Sequence, residues 1–87
     1  MDIKQQFVMR EVAGEYLLIP VGKTSLDLNG MITLNEIGAE IWNMLPEVKD
    51  EAEIVQRILD EYDIDEQTAT ADVAEFLGHI RELGIIA

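Results

Sequence analysis

The chain has 87 residues, no cysteine and a formal net charge of −12, from 18 acidic and six basic side chains. A fold of this length is one domain with one modest core, since it buries only about 60% of the surface its unfolded form exposes. Without disulfides its stability rests on packing, and the acidic surplus opposes nucleic-acid binding, because phosphate backbones are held through Lys and Arg.

The N-terminal Met1-Asp2-Ile3-Lys4-Gln5-Gln6 lacks the basic-then-apolar layout of a signal peptide, and no apolar run approaches the roughly 20 residues that span a bilayer. A soluble, cytoplasmic protein with no membrane association is therefore expected. Phe7 to Val12 and Glu15 to Ile19 are rich in aromatic and β-branched residues and flank Ala13-Gly14, which predicts a β-hairpin running to Pro20. With a two-residue turn, Val12 faces Glu15, Met9 faces Leu18, and Phe7, Met9, Tyr16 and Leu18 share one face. A three-residue loop shifts that register, and the sequence does not choose between the two. Val21 to Ser25 reads as a loop, Leu26-Asp27-Leu28 as one ordered turn, Asn29-Gly30 as a turn signal, and Met31-Ile32-Thr33-Leu34 as a short third strand.

From Asn35 the apolar period changes from two to about 3.6. Asn35 is a natural N-cap, and Ile37, Ile41, Trp42 and Leu45 follow at helical spacing until Pro46 ends the first helix. Asp50 caps the second helix with Glu53 reaching back, and Val55, Ile58, Leu59 and Tyr62 form its apolar stripe. Asp65 caps a long third helix that ends near Leu83, with Ala69, Val73, Phe76, Leu77, Ile80 and Leu83 as its stripe. Gly84 supplies a C-cap, and Ile85-Ile86 fold back onto the core. The architecture is α+β, a three-stranded antiparallel sheet followed by three helices. The charge divides unevenly: residues 1–34 carry four acids and three bases, a net −1, and residues 35–87 carry fourteen and three, a net −11.

Catalytic constellations are sparse. The single serine, Ser25, and the single histidine, His79, fall on separate elements, so a nucleophile and base within hydrogen-bond reach are not expected. Asp60, Asp63 and Asp65 cluster at a helix junction, but the glycine a calcium loop requires is missing after Asp63-Ile64-Asp65-Glu66-Gln67. These acids read as caps and helix-dipole partners. No glycine-rich phosphate loop is present. Spacing alone does not decide against glycosidase-type carboxylates, but 87 residues leave little room for a substrate cleft. The chain reads as a binding protein, not an enzyme.

The stretch Gly30-Met31-Ile32-Thr33-Leu34-Asn35-Glu36-Ile37-Gly38-Ala39-Glu40-Ile41-Trp42, with Glu61 to Asp65 and Asp72-Val73-Ala74-Glu75-Phe76-Leu77, resembles the PqqD-like family, named after protein D of pyrroloquinoline quinone biosynthesis. Glu11 to Tyr16 and Pro20-Val21-Gly22 look like its stand-alone bacterial members, and the resemblance covers about residues 7–86. It implies a winged-helix-like βββααα fold that recognises ribosomally made, post-translationally modified peptides. Such a domain binds the leader of a precursor peptide as an extra strand beside the third strand, against the third helix. It presents the core to a peptide-modifying enzyme, of the radical SAM or leader-peptidase type, without a cofactor.

On that resemblance the edge is Met31, Ile32, Thr33 and Leu34, the floor of the groove is Val73, Leu77 and Ile80, and one wall is Thr70, Ala74 and Arg81. The opposite flank, with Asp72 and His79, is the other available wall. The family groove often carries basic residues, whereas this third helix is mostly acidic with Arg81 its one fixed positive charge, so a neutral or basic leader is expected. Two other readings compete. A winged-helix DNA-binding regulator would have to present Asp65, Glu66, Asp72, Glu75 and Glu82 to DNA. A structural adaptor would pair its sheet edge with a fixed partner or a second copy, whereas leader recognition suits a monomer.

Overall fold

The computed structural model describes residues 1–24 and 30–86; Ser25, the expected turn at Leu26-Asp27-Leu28, and Asn29 lie outside the described residues. Strands β1 (Phe7–Val12), β2 (Glu15–Pro20) and β3 (Ile32–Leu34) form an antiparallel sheet in the order β1-β2-β3. Helices α1 (Glu36–Met44), α2 (Glu51–Glu61) and α3 (Glu66–Glu82) follow, with a 3-10 turn over Leu45–Glu47. The α+β architecture and the order of elements are as expected. No helix among the described residues is long and apolar enough to cross a membrane.

The hairpin takes the two-residue turn, pairing Val12 with Glu15 and Met9 with Leu18. Both turn residues have positive φ, Ala13 at 52° and Gly14 at 81°, the combination that matches the twist of adjoining strands. Glycine adopts this region freely, but the alanine Cβ crowds the following carbonyl there at roughly 1–2 kcal/mol. Ala13→Asn, which tolerates the left-handed conformation, is expected to raise the melting temperature by a few degrees, checked by thermal unfolding. Beyond β2, the buried Thr24 hydroxyl accepts from the Gln6 amide at 2.7 Å and donates to the Gln5 side-chain oxygen at 3.0 Å. These bonds tie the exit of the hairpin to the segment before it.

The helices begin where the capping residues fall. The side chains of Asn35, Asp50 and Asp65 accept from the amides of Gly38, Glu53 and Thr68 at 2.6, 2.9 and 2.7 Å. Glu53 reaches back to the Lys49 amide at 3.1 Å, one residue earlier than the expected reciprocal bond to its cap. Pro46 ends α1, and the chain continues as the 3-10 turn. At the far end of α3, Gly84 has φ 74°, its amide bonds the Arg81 carbonyl at 3.0 Å, and the Ile85 amide bonds the Ile80 carbonyl at 2.9 Å. This 6→1 and 5→2 pair satisfies carbonyls a helix end leaves open and turns Ile85 and Ile86 inward, where both are buried. The Lys4 amide bonds the Ile85 carbonyl, and Ile3 bridges Ile86, so the two ends of the chain meet.

One core lies between the sheet and the helices. Leu18, Ile41, Leu45, Ile54, Ile58, Val73, Leu77, Ile80 and Ile85 are all fully buried. Trp42 is buried and meets Phe7 edge-on, with ring centroids 5.8 Å apart at 83°, a favoured aromatic geometry. Val48 and Ile54 are core residues that the helical stripes had not marked.

Beside this core the carboxyl of Glu40 is held above the ordinary carboxylate range, first by burial and then by Glu61 and Glu36. An acid with a raised folded-state pKa opposes folding while ionised, and the penalty fades as pH falls through that pKa. Glu40→Gln is therefore expected to raise the melting temperature slightly at pH 7. The gain should shrink to nothing by about pH 3, where wild-type Glu40 is protonated in both states.

Candidate functional site

The sheet order leaves β3 at an edge, with β2 on its other side. Which of its backbone groups point outward follows from the hairpin. In a two-residue hairpin the residues flanking the turn exchange both hydrogen bonds, and the pattern then alternates along each strand. Val12 and Glu15 form that flanking pair, so Glu15, Leu17 and Ile19 bond toward β1 while Tyr16 and Leu18 bond toward β3. Tyr16 is opposite Leu34 and Leu18 is opposite Ile32, which commits the amides and carbonyls of Leu34 and Ile32 to β2. Thr33, opposite Leu17, directs its amide and carbonyl away from the sheet. Its side chain is exposed, whereas Ile32 and Leu34 turn inward against the core.

Alongside this edge runs a groove of about 190 Å³ between β3, α1 and α3. Thr33, Leu34 and Asn35 form one side, Ile37, Gly38 and Ile41 of α1 its base, and Asp72, Glu75, Phe76 and His79 of α3 the far wall. An apolar cavity of about 150 Å³ accommodates benzene, so this one has room for a large apolar side chain. It is smaller than the roughly 300–1,000 Å³ of sites that enclose a drug-sized ligand. Gly38 shapes it: a Cβ there would stand 3.1 Å from the Asn35 side-chain oxygen and 3.4 Å from the Phe76 ring. The missing side chain lets α1 approach Phe76 while Asn35 caps the helix.

Electrostatically the far wall is acidic. Asp72 and Glu75 line it with no Lys or Arg among the described lining residues, and neither acid makes an ion pair among the described residues.

The residues expected from sequence divide into three sets. Ile32, Thr33 and Leu34 form the edge strand, while Met31 stands just outside the ladder, 59% exposed. Val73, Leu77 and Ile80, expected as the floor, have no exposed surface at all; they lie beneath the groove in the core, because the inner stripe of α3 packs on α1 and α2. Thr70, Ala74 and Arg81, expected as a wall, do not line the groove. Arg81 instead borders a second depression with Met1, Asp2 and Ile86. The wall falls on the other flank, with Asp72 and His79, because α3 turns that flank toward β3 and α1. The groove also takes in Asn35, whose sequence signal is a cap, Ile37, Ile41 and Phe76, whose signal is a core stripe, and Gly38. Gly38 carried a signal, since a glycine inside a helix costs about 1 kcal/mol and calls for a close approach.

Residues 15–86 match the family described as coenzyme PQQ synthesis protein D (PqqD). The structure of TbiB1 in complex with the TbiA(beta) leader peptide is similar to this chain at a TM-score of 0.72 and 27% sequence identity, covering 98% of this chain and 93% of that one. No curated protein matches the chain.

Proposed function

Because the chain belongs to the PqqD family, we propose that it binds the leader of a ribosomally made precursor peptide as an added strand beside β3. The observation that carries this reading is the Thr33 edge, which pairs with no further strand among the described residues, beside a groove of side-chain size with an apolar base and an acidic wall. An added strand satisfies the outward amide and carbonyl, which gives affinity, and its alternate side chains enter the groove, which gives specificity. A residue opposite Thr33 shares its outward face, so its two neighbours point inward, and one of them fills the space bounded by Ile37, Ile41 and Phe76. Support for a peptide occupant comes from TbiB1, a protein of similar fold and length whose structure holds a leader peptide.

The domain works by positioning: held by its leader, the precursor offers its core segment to a separate modifying enzyme, of the radical SAM or leader-peptidase type. The reading needs no cofactor and treats the protein as a cytoplasmic monomer and a single recognition domain.

Fluorescence anisotropy with the labelled leader of the precursor peptide encoded beside this gene tests the proposal. Saturable binding that a scrambled leader does not reproduce is the expected result. Equal binding of the two, or none by either, would count against it.

A further inference from the structure

Resting on the reading just given, we infer that the leader carries a Lys or Arg two residues from its groove-filling apolar side chain, on the side nearer the start of α3. The spacing comes from matching strand to helix. Asp72 precedes Phe76 by four residues, which places it about 6 Å along the helix axis. Side chains on one face of a strand repeat every two residues, about 6.7 Å apart. A leader laid along α3 with one inward side chain at the level of Phe76 therefore brings its next inward side chain to the level of Asp72. Glu75 lies between those levels and lines the same groove.

The charge follows from what stands there. Asp72 and Glu75 face the groove without an ion-pair partner among the described residues, in a chain of net charge −12. A leader acid at that level meets two like charges, whereas a Lys or Arg meets two opposite ones at the rim. The α3 dipole favours anions at its N-terminus but fades within the first turn, and Asp72 is the seventh residue of the helix. The two carboxylates therefore prevail. At the opposite end of the wall His79 replaces the acids, which sets the direction of the offset.

The test is a charge-swap cycle with the leader of the precursor encoded beside this gene, read by fluorescence anisotropy at low and high salt. Replacing the indicated basic residue by Glu should weaken binding to the wild-type protein about tenfold, and D72K/E75K should restore it. Should the double reversal disturb the fold, D72N/E75Q should bind the native leader more weakly than wild type does and lose most of the salt dependence. Native leader that binds D72K/E75K and D72N/E75Q as tightly as wild type overturns the inference and leaves leader recognition standing. A leader that fails to bind the wild-type protein overturns the underlying reading and this one with it.

Discussion

Thr33→Pro is expected to weaken leader binding at least tenfold while leaving the protein folded. Proline removes one backbone amide, and at this position that amide points away from β2, toward the outer edge of the sheet. The sheet loses no hydrogen bond. An incoming strand loses one, net about 1 kcal/mol, and also meets the pyrrolidine ring where it should close against the edge. About 1.4 kcal/mol corresponds to tenfold in affinity, so bond and ring together reach that loss. Leu34→Pro is the matched control. Its amide belongs to the pair with Tyr16, and its side chain is buried, so the same substitution one residue away should unfold the protein. Amide spectra of the two variants, with leader titrated into whichever folds, check both expectations. A Thr33→Pro protein that binds like wild type would mean that this edge takes no strand.

Leu77→Ala should do the reverse, lowering stability by about 2–5 kcal/mol, because a fully buried leucine leaves a cavity its neighbours cannot close. For a domain of this size each kcal/mol shifts the melting temperature by about 4–8 °C, so a fall of at least about 8 °C is expected. Leader affinity, measured well below that melting point, should change little, since Leu77 lies under the groove and not in it. Phe76→Ala, one residue along the same helix, should cost less stability and more affinity, because Phe76 is half-buried and lines the groove. Both variants are read by thermal unfolding and by leader titration. A Leu77→Ala protein of wild-type stability that no longer bound leader would return Leu77 to the peptide contact surface.

What the sequence made legible was local. Asn35, Asp50, Asp65, Pro46 and Gly84 mark the helix ends through short-range chemistry, and each end lies where those residues put it, within a residue. The hairpin register needed only the choice of turn, and the structure made that choice at Ala13-Gly14. Strand order was not legible, because pairing of β3 with β2 and not β1 depends on chain reversal over a distance. The flank of α3 that forms the groove wall was not legible either. A stripe such as Val73, Leu77 and Ile80 shows which side of a helix faces the core, but not what stands at the two borders of that stripe. Phe76, on the Asp72 border, is where core and groove meet. Phe76 together with Gly38, which admits its ring, is the sequence signal that points to the Asp72 flank as the groove wall.

The central claim, that a leader pairs with the outward backbone of Thr33, is tested most directly by amide hydrogen exchange with and without leader. In the free protein the Thr33 amide should exchange quickly, while those of Ile32 and Leu34, bonded to β2, are protected. On saturation with leader the Thr33 amide should slow by an order of magnitude or more, with little change at its two neighbours. A saturated complex in which the Thr33 amide still exchanges at its free rate would contradict strand addition at this edge.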